Sequence, residues 1–339
     1  MVGIALLTLV PGQMGGSETY ARELVRALDR VGTLDYRVLA PPLAPEWPLP
    51  AEVAANYGSA RSTPGRLGAM ARESLRSRLA DADVVHYPLT IALPRVQART
   101  VVTLHDAQHL DLPSMFPRAE RAFRSVAWHR SLRSADRVIA LSEFVRWRAL
   151  DRLGIDARVV HSGVDHARFH PGDEQREPFL LYPARAWPHK NHARLYEAFG
   201  VLRRERPELR LVLTGGGEFG AAPEGAEVRG LVSDDELASL YRRASALVFP
   251  SLYEGFGQPP LEAMASGCPV ACSDAAALPE IVGDAARLFD PYDVASIADG
   301  VRAVLDDPEP WRERGLARAE QFSWDATARA TEAVYRELL

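Results

Sequence analysis

Glu254 and Glu262 stand eight positions apart in SLYEGFGQPPLEAMASG, directly after the apolar run SALVFPS. Gly255 and Gly257 leave backbone N–H groups uncovered between them, and Phe256 and Gln258 complete the loop. Pro259 and Pro260 pre-set the backbone for the start of a helix. Glu262 then falls near that helix's first turn, pointing back toward the loop. Carboxylates accept from hydroxyls while bare amides donate, so the set suits a polyhydroxylated anion. The alternative is a helix start whose acids pair with the dipole. Arg185 ends the run FLLYPAR, and Lys190 follows in PHKNH, with Asn191 placed to cap the next helix. Two cations before a helix N-terminus suit a diphosphate; the alternative is a pair of solvated charges.

Other chemistry-bearing residues also follow apolar runs. Gly215, Gly216 and Gly217 end LRLVLTG and allow close backbone approach to a ligand, or form a flexible turn. The first run ends in GQMGGSE, where Gly15 and Gly16 lead into a helix with Ser17 as candidate N-cap, a ready-made anion site or a plain tight turn. His105 and Asp106 end RTVVTLHD, and His109 follows. A histidine there can bind phosphate or polarise a leaving group, or serve packing alone. Cys268 and Cys272 are the only cysteines, too few for a zinc site or a disulfide framework, and read as buried thiols.

The elements that would position these residues alternate. VGIALLTLV, YRVLA, DVVHY, RTVVTLHD, DRVIALS and ARVVHSG each fit a buried strand, with SETYARELVRALDRV and ERAFRSVAWHRSLRSA helical between them. FHPGDEQREP, Phe169–Pro178, reads as a linker. The pattern restarts with FLLYPAR, LRLVLTG, AEVRGL, SALVFPS and CPVACS. Strand–helix alternation implies parallel sheets covered on both faces, hence an α/β fold of two Rossmann-like domains facing a central cleft. Ligands then bind beyond the carboxyl ends of the strands, where these residues fall.

The 339 residues allow two domains, and the net charge of -5 argues against a nucleic-acid binder. The N-terminal apolar run lacks the basic lead-in of a signal peptide and is too short to span a bilayer. A cytoplasmic protein is expected.

SLYEGFGQPPLEAMASGCPV resembles the E-x7-E motif of retaining GT-B glycosyltransferases, the family 4 or group 1 class. VTLHDAQHLDLP, ADRVIALSEF, SGVDHARFHP, PARAWPHKNH, GLVSDDELASLYRRASALVFPS and ALPEIVGDAARLFDP follow in family order, and FSWDATARATEAVYREL resembles its C-terminal helix. The resemblance implies a GT-B fold: an acceptor-binding domain over 1–168, a nucleotide-sugar-binding domain over 169–321, and a helix over 322–339 crossing back to the first domain. It implies hexosyl transfer with retention, by front-face attack and without a metal. Arg185 and Lys190 would grip the donor diphosphate and Glu254 the donor-sugar hydroxyls, with Gly255, Phe256, Gly257 and Gln258 beside it. Glu262 would hold the ribose, Gly15 and Gly16 would approach the diphosphate, and His105 would sit near the reacting sugar. The base would pack near Leu231, with Gly215 and Gly216 on the donor side. Asp106 and His109 would face the acceptor. The motif usually written N-G-V-D is here Ser162-Gly163-Val164-Asp165.

HDAQHLDLP and PARAWPHKNH look most like bacterial mannosyltransferases of surface-polysaccharide assembly, which implies GDP-mannose as co-substrate and no cofactor; a UDP-sugar is the alternative. The acceptor would be a glycan, a lipid-linked sugar or a small molecule. Arg61, Arg66, Arg72, Arg76 and Arg78, balanced only by Glu73, could meet anionic lipid at the inner membrane face or form a solvated helix face. A monomer or dimer is expected. The competing classes are a GT-B sugar-nucleotide epimerase, which needs no acceptor, and a non-catalytic nucleotide-sugar binder, which should lack the ordered cations and acids.

Overall fold

In the computed structural model the chain forms two compact units, Met1–Gly163 with Trp324–Leu339, and Val164–Ser323. The structure describes residues 1–41, 47–53, 68, 72 and 77–339. Arg61, Arg66, Glu73 and Arg76 of the arginine-rich stretch lie outside the described residues.

Unit 1 is built on a seven-stranded sheet, all pairs parallel. Its strands are β1 (Val2–Ala5), β2 (Tyr36–Ala40), β3 (Ala51–Val53), β4 (Val84–Tyr87), β5 (Arg99–Leu104), β6 (Arg137–Ala140) and β7 (Arg158–Val159). Their order is β3-β2-β1-β4-β5-β6-β7. The helices α1 (Gly16–Val31), α2 (Gln108–Asp111), α3 (Arg118–Ser134) and α4 (Glu143–Leu153) connect them. β1 and β4 are buried along their whole length, the pattern of a strand covered on both faces. In α1 the buried Tyr20, Leu24, Val25 and Leu28 recur at helical spacing. The final helix, which in chain order is the last of the molecule, packs against α1 through its buried Trp324, Thr327, Ala328, Thr331 and Tyr335. Glu332 on it accepts from Thr33 N at 2.7 Å, Thr33 Oγ1 at 2.5 Å and Tyr36 Oη at 2.5 Å.

Unit 2 carries a six-stranded parallel sheet in the order β10-β9-β8-β11-β12-β13. The strands are β8 (Glu177–Pro183), β9 (Arg210–Thr214), β10 (Ala226–Gly230), β11 (Ala244–Phe249), β12 (Val270–Ser273) and β13 (Arg287–Phe289). The helices are α5 (His192–Glu205), α6 (Asp234–Arg243), α7 (Gln258–Ala265), α8 (Leu278–Val282), α9 (Val294–Asp306) and α10 (Glu309–Ala319), and the final helix of unit 1 is α11 (Trp324–Arg336). α6 starts cleanly because Ser233 Oγ accepts from Glu236 N at 3.1 Å and acids fill the first turn.

The division falls at Gly163/Val164 and Ser323/Trp324, against the expected 168/169 and 321/322. The reason is local. Val164 bridges to Ser323, and Phe169 is buried edge-on against Tyr241 in unit 2. The segment read as a linker therefore starts inside the second core.

Each sheet reverses its strand order once, between β1 and β4 in unit 1 and between β8 and β11 in unit 2. Such a switch point, beyond the carboxyl ends of the strands, is where open parallel sheets hold ligands.

Candidate active site

In unit 2 the switch point is flanked by the segments that leave β8 and β11. They are laced together. Leu252 N donates to His189 O at 2.8 Å, and Tyr182 Oη donates to Lys190 O at 2.5 Å. Asn191 does not cap α5 with its side chain; its amide instead donates to Pro250 O at 3.1 Å and Pro291 O at 2.7 Å, binding three loops.

This lacing brings Lys190 Nζ to 2.6 Å from Glu254 Oε1, both side chains mostly buried. The ammonium keeps further N–H groups for an anion, and the carboxylate keeps a second oxygen for a hydroxyl. Arg185 stands earlier on the segment that leaves β8. A Cβ built on Gly216 would lie 3.5 Å from Arg185 Nη1 and 3.8 Å from Leu231 Cδ2, so the guanidinium, the glycine and Leu231 share one corner. Leu231 is 71% exposed, an apolar wall open to solvent. Trp187, also exposed, has its ring centroid 5.7 Å from the Arg185 guanidinium.

The glycines serve the chain as well as any ligand. Gly215 has φ +125°, and a Cβ there would meet Ala184 O at 2.5 Å, so this position lets the ends of β8 and β9 touch. Gly257, φ +111°, ends the Glu254 loop against Leu278 and stands at the N-cap of α7, with the prolines in its first turn. Phe256 is buried against Phe322 and turns its ring away from solvent. Glu262, one turn into α7, is 8% exposed, and burial pushes its carboxyl up to about 7 against a hydrogen bond from Tyr241.

Unit 1 presents its own switch-point residues. Gly15, not Ser17, is the N-cap of α1, and Ser17 Oγ donates instead to Met14 O at 3.1 Å. Glu18 folds back to accept from Gly12 N at 2.8 Å, while Gly16 lies exposed. His105 packs edge-on against Tyr20, centroids 5.1 Å apart, and donates from Nε2 to Pro88 O at 2.6 Å. Burial lowers its pKa, so the ring is neutral and Nδ1 is an acceptor. That suits a hydroxyl better than the phosphate weighed for it.

Of the two residues expected to face the acceptor, His109 is placed differently from expectation. Asp106 Oδ1 accepts from Gln108 N at 3.0 Å, at the first residue of the short helix α2, whose N-cap is Ala107. His109 is 2% exposed, its ring edge-on to Trp128 at 5.1 Å, with burial lowering its pKa to about 4. A side chain turned into the α2–α3 packing is not open to an acceptor. Sequence reasoning missed Tyr241, which sits inside an ordinary amphipathic helix pattern, and Arg168, in the segment that opens unit 2. Cys268 and Cys272 are buried free thiols, the first pushed up to about 11 by burial.

Residues 14–168 match the Glycosyltransferase Family 4 model, and residues 164–321 match Glycosyl transferases group 1. The chain is 32% identical over 286 residues to O-antigen chain mannosyltransferase B of Escherichia coli, covering 76% of this chain and 75% of that one. It is 39% identical over 199 residues to the MMP alpha-(1->4)-mannosyltransferase of Mycolicibacterium hassiacum, covering 53% of this chain and 48% of the relative. Sucrose-phosphate synthase from Thermosynechococcus elongatus shares the fold with a TM-score of 0.82 at 21% identity, over 99% of this chain and 98% of the other. Two Rossmann-like units, a last helix returned to the first unit and these matches agree: the chain belongs to the GT-B glycosyltransferases of family 4 and group 1, of the mannosyltransferase type.

Proposed function

We propose that the protein transfers mannose from GDP-mannose to a hydroxyl of a glycan, lipid-linked or small-molecule acceptor, with retention at the anomeric carbon. The observation that supports this reading is the mostly buried Lys190–Glu254 pair at the switch point of unit 2, with Arg185 earlier on the same segment after β8. Arg185 and Lys190 meet the diphosphate and neutralise the charge that develops as the C1–O bond to phosphate breaks. Glu254 accepts from donor-sugar hydroxyls, and the backbone of Gly255–Gln258 donates beside it. Glu262 accepts from the ribose, and the base packs on Leu231. The acceptor oxygen attacks C1 from the face the leaving group departs, and its proton passes to the departing phosphate oxygen. No protein nucleophile enters, so the two acids are not the acid and nucleophile of a glycosidase. With both positive charges supplied by side chains, the reaction proceeds without a metal.

Acceptor recognition is assigned to unit 1. Its helix α3 exposes Phe123 and Val126 among Arg118, Arg121, Arg130 and Arg133, a surface suited to peripheral contact with an anionic inner membrane face. No helix among the described residues is long and apolar enough to cross a membrane. Flotation with vesicles containing phosphatidylglycerol tests that contact; protein left unbound at low salt counts against it.

Titration with GDP, UDP, ADP and dTDP in EDTA tests the donor. Selective GDP binding, followed by mannosyl product of retained configuration by NMR, supports the assignment. Selective UDP binding moves the donor to a UDP-sugar, and an inverted product rejects the front-face mechanism.

A further inference from the structure

Glu262 is held by a residue outside its own loop. Tyr241 Oη, on the last turn of α6, donates to Glu262 Oε2 at 3.0 Å. Tyr241 is fully buried, and its pKa is driven well above the ordinary phenol range by burial and then by Glu262, so it stays a donor. Its ring stands edge-on to Phe169, centroids 5.9 Å apart at 73°. Phe169 is itself tied down, its N–H donating to Asp165 O at 2.8 Å. Phe169, Tyr241 and Glu262 thus form one buried chain from the segment that opens unit 2 to the second turn of α7.

The other groups that face this carboxyl are few. Asp234, at the start of α6, pushes against its charge, while Arg168 and Gln258 favour it. Arg168 is shared with Asp165, Asp234 and Asp235. Cys268 borders Tyr241, and Arg176 and Arg312 approach α7 at its far end, by Gly267. Tyr241 is the direct donor to this carboxyl from a neighbouring element, and Gln258, on α7 itself, hydrogen-bonds it as well.

We infer that Tyr241 is the positioning residue of the ribose contact: its phenol holds Oε2 of Glu262, so that Oε1 is turned to the 2′- and 3′-hydroxyls of the donor nucleotide. The inference rests on the assignment of Glu262 to the ribose given above. A bidentate ribose contact needs a carboxylate whose rotation is stopped and whose charge is kept. Burial works against the charge, and the phenol supports it.

The test compares the full-length wild type with Tyr241→Phe, which keeps the ring against Phe169 and removes only the hydroxyl. Affinities for GDP and 2′,3′-dideoxy-GDP, and for the corresponding uridine pair, are measured by calorimetry from about pH 6 to about pH 8.5. The wild type should prefer the ribonucleotide, with the preference declining as pH falls through about 7. In Tyr241→Phe the midpoint should move up by about one pH unit, and ribonucleotide affinity at neutral pH should fall about ten-fold, with dideoxynucleotide affinity unchanged. Placing 3-fluorotyrosine at 241, a stronger donor of nearly the same shape, should move the midpoint down, and this arm decides the matter if Tyr241→Phe does not fold. A wild type that binds ribo- and dideoxynucleotides alike, or binds neither pair, overturns the ribose assignment itself. A wild type that discriminates, beside variants with an unmoved midpoint, overturns the role of Tyr241 alone.

Discussion

Replacing Lys190 by Met separates the ion pair that the structure gives this side chain from the diphosphate contact proposed for it. Nζ lies 2.6 Å from Glu254 Oε1, and the two side chains are 12% and 14% exposed. At that distance the Coulomb attraction is about 6 kcal/mol for an effective dielectric constant of about 20. Desolvation of the two charges offsets roughly half, so stranding Glu254 should cost about 3 kcal/mol. For a unit of this size that is a fall in melting temperature of about 6–12 °C. The double variant Lys190→Met with Glu254→Gln removes the stranded charge, and most of the lost stability should return. Affinity for GDP should behave otherwise. Loss of a charge-assisted contact to the diphosphate should weaken GDP by about ten- to a hundred-fold in the single and double variants alike. Guanosine, which lacks the phosphates, should bind all three proteins equally. Scanning calorimetry reads the first effect and isothermal titration the second. If GDP affinity returns with stability in the double variant, Lys190 serves only to hold Glu254, and its assignment to the diphosphate fails.

The remaining predictions concern pH, backbone and charge. Burial opposes ionisation of Glu332, but hydrogen bonds from Thr33 and Tyr36 prevail and bring its carboxyl down to about 2. A depressed folded-state value means the stability is present above the unfolded value of 4.5 and is lost as pH falls toward 2, by up to about 3 kcal/mol. Hydrogen exchange in α11 should therefore accelerate between about pH 5 and about pH 2 in the wild type, and much less so in Glu332→Gln; equal acid sensitivity in both would remove the carboxylate from the account. Gly215→Ala places a Cβ 2.5 Å from Ala184 O at a φ of +125° and should destabilise unit 2 by about 2–4 kcal/mol, read as a lowered melting temperature; an unchanged melt would show that the β8 and β9 ends need not touch. Arg185→Ala should lower turnover by about a hundred-fold or more while acceptor KM stays near the wild-type value; a loss confined to acceptor affinity would place Arg185 elsewhere in the reaction.

The residues proposed to meet the donor could be picked out because parallel sheets put chemistry at strand ends, and short-range signals mark those ends. Arg185, Lys190, Glu254 and Glu262 each follow an apolar run within a few residues, among glycines or prolines. The two sheets could be read for the same reason, since buried parallel strands are continuous β-branched runs. What escaped were elements without such a contrast. In α4, Phe144 and Leu153 face inward while Trp147 and Leu150 are exposed, so its apolar residues mark no single stripe. β3 and β13 are edge strands of three residues each, too short to show alternation. His109 misled for a related reason. A histidine just past a strand end reads as open to ligand, but it lies in a four-residue helix and its ring packs edge-on to Trp128 of α3.

Tyr241 shows the deeper limit. Nothing distinguishes it in YRRA from a core tyrosine of an amphipathic helix, and it is one. Its second role exists only because β11 passes between α6 and α7 and sets the two helices side by side, closing a gap of twenty-one positions with one hydrogen bond. A carboxylate can be recognised in sequence by its place beside glycines. Its protonation state cannot, because that depends on the donor supplied by another element and on how completely the fold excludes water. Burial drives Glu262 toward neutrality, and the hydrogen bond from Tyr241 keeps ionisation within reach of neutral pH. The proposed ribose contact is accordingly a property of the packing of α6 on α7, and it should respond to changes at Tyr241 even though that residue reaches no ligand itself.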